Sequence, residues 1–160
     1  TVQSRGAYLC LQALTENPDF YQCIYPRLRQ ERDRNRLSRY AVAVEQRLIM
    51  EGRIKIFSRD PQTREVILGT VLASLPAEEH AAVLRDFHLV EAALEWDAVV
   101  LSCDSRMRSK LGRAATTCHE LTALDWADTC EPLTVSWLRR SAPRGEMSLG
   151  TPGCSPDEVN

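Results

Sequence analysis

Several features that would declare a chemistry at sight are missing from this sequence. It has no basic balance: 20 Lys and Arg stand against 22 Asp and Glu, a net charge of −2. No global field therefore attracts a polyanion, and any nucleic-acid surface must be local. There is no run of about 20 apolar residues, so no membrane-spanning helix is expected. The first residues lack a charged segment followed by an apolar one, so no secretory signal is read. No Gly-rich phosphate loop, G-x-S-x-G or H-E-x-x-H occurs, which removes three familiar routes to phosphate, acyl and zinc chemistry. No internal repeat is present. The six cysteines, Cys10, Cys23, Cys103, Cys118, Cys130 and Cys154, contain no C-x-x-C pair. Scattered through apolar segments, they read as buried free thiols of a reducing cytoplasm rather than a disulfide framework or zinc site.

The residues present fit one domain and then a tail. A chain of 160 residues that is 44% hydrophobic and 26% charged can build a core without staples. Ala7–Leu14 has the stripe of an amphipathic helix, and Asn17-Pro18 marks a turn. Tyr21–Tyr25 alternates as a short strand, and Pro26 suits the first turn of the next helix. That helix, with Leu28 and Leu37 on a buried stripe, runs toward Gly52 with a break near Asn35. Ile54–Phe57 is a second strand, Asp60-Pro61 a turn, and Glu65–Leu75 either helix or strand. Leu75-Pro76 with Glu78 and Glu79 reads as a helix start over 77–84, ending before Asp86 or running into the next helix. Arg106–Leu111 reads as a helix stopped by Gly112, and Leu121–Trp126 as a last edge strand. From Pro143 onward the composition is that of a disordered tail. Helices alternating with short apolar strands predict an α/β sandwich with a mainly parallel sheet.

The chain is organised around Asp86–Asp104, DFHLVEAALEWDAVVLSCD. Leu89, Val90, Ala93, Leu94 and Trp96 recur at helical spacing and leave Glu91 and Glu95 on the other face. Asp97 ends the pattern, and the run Ala98–Leu101 suits a strand covered on both sides. Asp104 then stands past the strand's carboxyl end, where open α/β sheets hold ligands, with Asp86 expected as a neighbour. Two carboxylates on rigid elements suit a hard divalent cation.

These residues resemble the C-terminal half of PIN domains, a family of small metal-dependent ribonucleases that includes toxins of toxin–antitoxin pairs. The match lies in Asp86, His88-Leu89, Ala92-Ala93, the Val99–Ser102 strand and Ser102-Cys103-Asp104. Ile24 to Glu31 resembles the family's short strand, proline and Glu-bearing helix, and Leu121–Pro132 its last strand in some bacterial members. The resemblance implies a PIN-like domain over residues 1–132, built as a three-layer sandwich, with an extension over 133–160. It implies Glu31, Asp86 and Asp104 as catalytic ligands of Mg²⁺ or Mn²⁺, with Asp33 as a poorer substitute for Glu31. Arg32, Ser102, Arg106 and Arg108 are implied as RNA contacts. RNA, a small antitoxin protein and a second copy are the implied partners. The family's first strand, ending in a catalytic Asp, has no counterpart, since Thr1–Gly6 resembles the stretch that leads from that strand into the first helix. The resemblance therefore implies a shortened copy of a longer endoribonuclease, or an inactive remnant that binds protein or RNA.

Each residue also has a structural reading. Asp86 and Asp104 fit helix N-caps, Glu31 fits an ion pair among its arginines, and His88 fits a packed side chain. Arg27, Arg29, Arg32, Arg34, Arg36 and Arg39 fit a solvated helix face as well as a phosphate surface. Arg106, Arg108, Lys110 and Arg113 come soon after Asp104 and suit phosphate contact better.

Overall fold

The computed structural model describes residues 2–35 and 38–151, with side chains from Arg5 onward. Arg36, Leu37, Cys154 and the 152–160 portion of the tail expected from Pro143 lie outside the described residues. In chain order the elements are α1 (Val2–Glu16), β1 (Gln22–Ile24), α2 (Pro26–Arg34), α3 (Arg39–Met50), β2 (Ile54–Ile56), α4 (Glu65–Ala73), α5 (Ala77–Trp96), β3 (Val100–Ser102), α6 (Ser105–Ala114), β4 (Trp126–Asp128) and α7 (Pro132–Arg139), with a 3₁₀ turn at His119–Ala123. This is a mixed α/β architecture. Its strands pair in parallel, and among the described residues they form two separate two-stranded sheets. The chain divides into two compact units, Thr1–Asp60 with Thr129–Pro143, and Pro61–Asp128 with Arg144–Asn160.

In the first unit β1 and β2 run parallel, Gln22 opposite Ile54 and Ile24 opposite Ile56. Helix α1 packs on α3 and α7, burying Cys10, Ala13, Val44, Leu48, Trp137 and Leu138. Pro26 opens α2 as expected, its missing N–H falling where no helical partner exists. The expected break also occurs. Extended Asn35 ends α2, and the Ser38 hydroxyl starts α3 by accepting from Ala41 N at 3.1 Å. Leu28, expected on a buried stripe, is only half-buried, and α2 buries no residue fully.

Arg53 organises this unit. It is 6% exposed, and its guanidinium donates to the carbonyls of Leu14, Thr15, Asn17 and Phe20 while pairing with Glu51 at 2.8 Å. One side chain thus satisfies the last carbonyls of α1, which have no helical donor, and fastens them beside β2. Hydrogen bonds from Arg47 and then Arg53 hold the Glu51 carboxyl below the usual range. Gly6 lets α1 approach another segment closely, because a Cβ there would overlap the Thr129 carbonyl oxygen. Cys10 Sγ donates to that same oxygen at 3.8 Å.

In the second unit β3 and β4 run parallel, Val100 opposite Trp126 and Ser102 opposite Asp128. Val83, Phe87, Val90, Met107, Leu111 and Trp126 are central to its core. The segment left open between helix and strand is the helix α4. Helix α5 is continuous over 20 residues, since no Gly or Pro interrupts Ala77–Trp96. Asp86 therefore lies inside a helix and neither opens nor caps one, which corrects the sequence expectation. The helix ends where Asp97 turns left-handed at φ 49°. Glu91, expected on the solvent face, is 7% exposed. Its Oε1 accepts from Arg64 N at 3.0 Å, and Glu95 accepts from Gln62 N. Two carboxylates one turn apart thus hold the chain as it enters α4.

Gly112 does not stop α6, which runs on to Ala114. The last strand falls at Trp126–Asp128, after the 3₁₀ turn that takes up Leu121. Residues 144–151 are not the expected disordered tail. Asp125, wholly buried, accepts from Gly145 N and Met147 N at 3.0–3.1 Å. Trp126 N donates to Met147 O, Leu149 N to Leu124 O, and Leu149 enters the core. Of the described cysteines, Cys10 and Cys118 are buried but Cys103 is exposed.

These contacts generate two stability predictions. Gly6→Ala improves helix propensity by roughly 0.5–1 kcal/mol, but forcing a methyl into a backbone oxygen costs about 1–3 kcal/mol. Urea unfolding should therefore show net destabilisation. Asp125→Ala strands two amides at about 1–3 kcal/mol each, and hydrogen exchange should find residues 145–149 losing protection before the rest of their unit.

Candidate active site

The turn from β3 into α6 is built by its own side chains. Ser102 Oγ accepts from Asp104 N at 3.0 Å, and Asp104 Oδ1 accepts from Met107 N at 2.9 Å. Asp104 is thus the N-cap of α6, satisfying one of the helix's orphan amides with a charge the helix dipole favours. It is also exposed, two residues past the carboxyl end of a parallel strand. Both expectations for Asp104, strand-end acid and cap, are met by the same residue.

Helix α6 is strongly two-faced. Met107, Leu111 and Ala114 are buried, and Arg108 Nε donates to Trp126 O at 2.8 Å, tying the helix to β4. The Nε of Arg108, one of the implied RNA contacts, is thus engaged by the backbone of β4. On the outer side Arg106, Lys110 and Arg113 share a shallow open depression with Ser105, Ser109 and Glu79. Arg113 pairs with Glu79.

Asp86 projects from α5 with its side chain 21% exposed, and Arg85 engages both its oxygens, at 2.8 and 3.1 Å. Glu31 and Arg32 belong to the other unit. Glu31 faces Arg27 at 3.8 Å, and Arg32 pairs with Glu45 and, at 3.9 Å, with Asp33. The ion-pair reading of the arginine run thus has geometry behind it, although Arg29 and Arg34 are exposed. His88 is 2% exposed inside α5, the packed side chain of its structural reading. Among the described residues no three His, Cys, Asp or Glu side chains are grouped to hold a metal ion. The described residues alone do not make up a complete Mg²⁺ or Mn²⁺ site.

Three polar groups escaped the sequence reading. Glu91 and Asp125 are buried acceptors for backbone amides of distant loops, and periodicity is blind to such partners. The signal for Asp125 was its place between two large apolar neighbours, Leu124 and Trp126. Asp128 ends β4 opposite Ser102 and is 7% exposed, so the carboxyl end of this pair carries Ser102, Asp104 and Asp128.

No family model, no curated protein and no solved structure matches this chain. Among the described residues no helix is long and apolar enough to cross a membrane.

The two roles of Asp104 separate by substitution. Asp104→Ala should cost about 1 kcal/mol in urea unfolding through the lost cap, whereas Asp104→Asn should stay within a few tenths, because Asn caps as well as Asp.

Proposed function

We propose that this chain is a PIN-like domain acting on RNA, an endoribonuclease dependent on Mg²⁺ or Mn²⁺ and of the kind that serves as a toxin beside a small antitoxin. The observation that carries this reading is the sequence β3, Ser102, Asp104, α6. It sets an exposed carboxylate past the end of a parallel strand, with cations on the next helix. The parallel pairing of β3 with β4 supports it further, since Asp104 then stands just past the end of a strand whose neighbour runs the same way. A three-layer sandwich, a second copy as partner and a cytoplasmic setting belong to the same reading.

Hydrolysis of a phosphodiester through a bound ion needs more carboxylates than Asp86 and Asp104. No reaction step is therefore assigned to these residues. The second reading, an inactive PIN-like remnant that binds RNA or protein, is favoured by one specific observation. Asp86 is closed by Arg85 on both oxygens, and one Asp104 oxygen serves the cap.

Mn²⁺ titration calorimetry on the wild type, Asp86→Asn and Asp104→Asn decides between them, paired with cleavage of a fluorescent mixed-sequence RNA. The hydrolase reading expects a binding heat lost in both variants without unfolding, and Mn²⁺-dependent cleavage by the wild type. If no protein gives a heat and the RNA stays intact, the hydrolase reading falls.

A further inference from the structure

The outer face of α6 holds a feature that the metal question does not touch. Arg106, Lys110 and Arg113 recur at i, i+4 and i+7, which places them on one side of the helix. Ser105 and Ser109 lie in the same depression, one residue before Arg106 and Lys110. Arg106, Ser105 and Ser109 are exposed, and Lys110 is half-buried. Glu79 neutralises Arg113, leaving two cations uncommitted to that pair. On a chain whose net charge is −2 this is a concentrated local field.

We propose that this face is a track for two successive phosphates of a single-stranded RNA, with Arg106 and Lys110 each taking one and Ser105 and Ser109 donating beside them. The proposal rests on the RNA reading above and names the surface that would carry it. Arg106 and Lys110 are separated by a rise of about 6 Å along the helix, comparable with the spacing of phosphates along a strand. Hydroxyls interleaved with cations are the usual partners of phosphate oxygens. A lipid surface fits poorly, because a membrane-lying helix must offer its apolar face to the bilayer. Here Met107, Leu111 and Ala114 are buried in the protein.

The test is fluorescence anisotropy with a labelled 2′-O-methyl oligouridylate in EDTA, where neither metal nor cleavage contributes. Arg106→Ala/Lys110→Ala should weaken binding at least tenfold at low salt. Removing two phosphate contacts should also reduce the slope of log K against log salt by about 1.4. Glu79→Gln, which releases Arg113, should tighten binding and steepen the slope, a gain that misfolding cannot imitate. Arg139→Ala in α7, an exposed arginine outside both basic stretches, should change nothing. Unchanged affinity and slope in the double variant would overturn the proposal. So would binding to phosphatidylserine vesicles, lost in the double variant, with none to the oligonucleotide. Loss of the hydrolase reading leaves this binding intact, whereas a retained Mn²⁺ heat without oligonucleotide binding removes the track alone.

Discussion

Parallel pairing between strands of three residues sets the terms for this molecule. Such short ladders supply few hydrogen bonds, and parallel strands need cover from helices on their faces. Each unit meets that need with a buried charged group that fastens loops to its strands. In the first, Arg53 collects the carbonyls where α1 ends and β1 begins, and its own backbone carbonyl accepts from Gln22 N. In the second, Asp125 gathers the amides of Gly145 and Met147 beside β4. A guanidinium suits the first task because it offers five fixed donors, and a carboxylate the second because it only accepts. Neither can be removed without stranding backbone groups away from water.

The same economy explains why the acids of the second unit are hard to read. A carboxylate beside a helix N-terminus is stabilised by orphan amides whether or not it ever meets a ligand. Asp104 caps α6, Glu91 and Glu95 receive the amides before α4, and Asp125 receives a returning segment. Of these, Asp104 alone combines the cap with exposure at the end of a parallel strand, and this keeps it at the centre of the functional reading. Asp86 lacks such a role in the backbone and is instead engaged by Arg85.

Local signals were largely legible. Pro26, Asn35, Pro76 and Asp97 punctuate the helices where turn and capping chemistry says they should, because each acts through its own backbone dihedrals or a partner within a turn. Where the reading failed, the deciding partner lay far along the chain. Glu91 was assigned to solvent because periodicity counts an acid as polar, yet its amide partner sits 27 residues away. Residues 144–151 looked disordered because composition cannot show that Asp125 awaits their amides. Gly112 looked like a stop, but the buried Leu111 and Ala114 on either side of it carry the helix onward.

The sequence by itself determined the alternation of helices and short strands, the parallel habit, the breaks between helices, and the exposed acid after β3. These arise from propensity, side-chain period and capping, all of which act within a few residues. Only the tertiary structure decided which charges are committed. Arg108 is bound to a strand carbonyl, Arg113 to Glu79, Arg32 to Glu45, and Asp86 to its neighbour, whereas Arg106 and Lys110 line the outer face of α6. The reason is physical: a charge's role depends on the donors and acceptors that folding brings beside it, and residue type fixes only what it is able to accept or give.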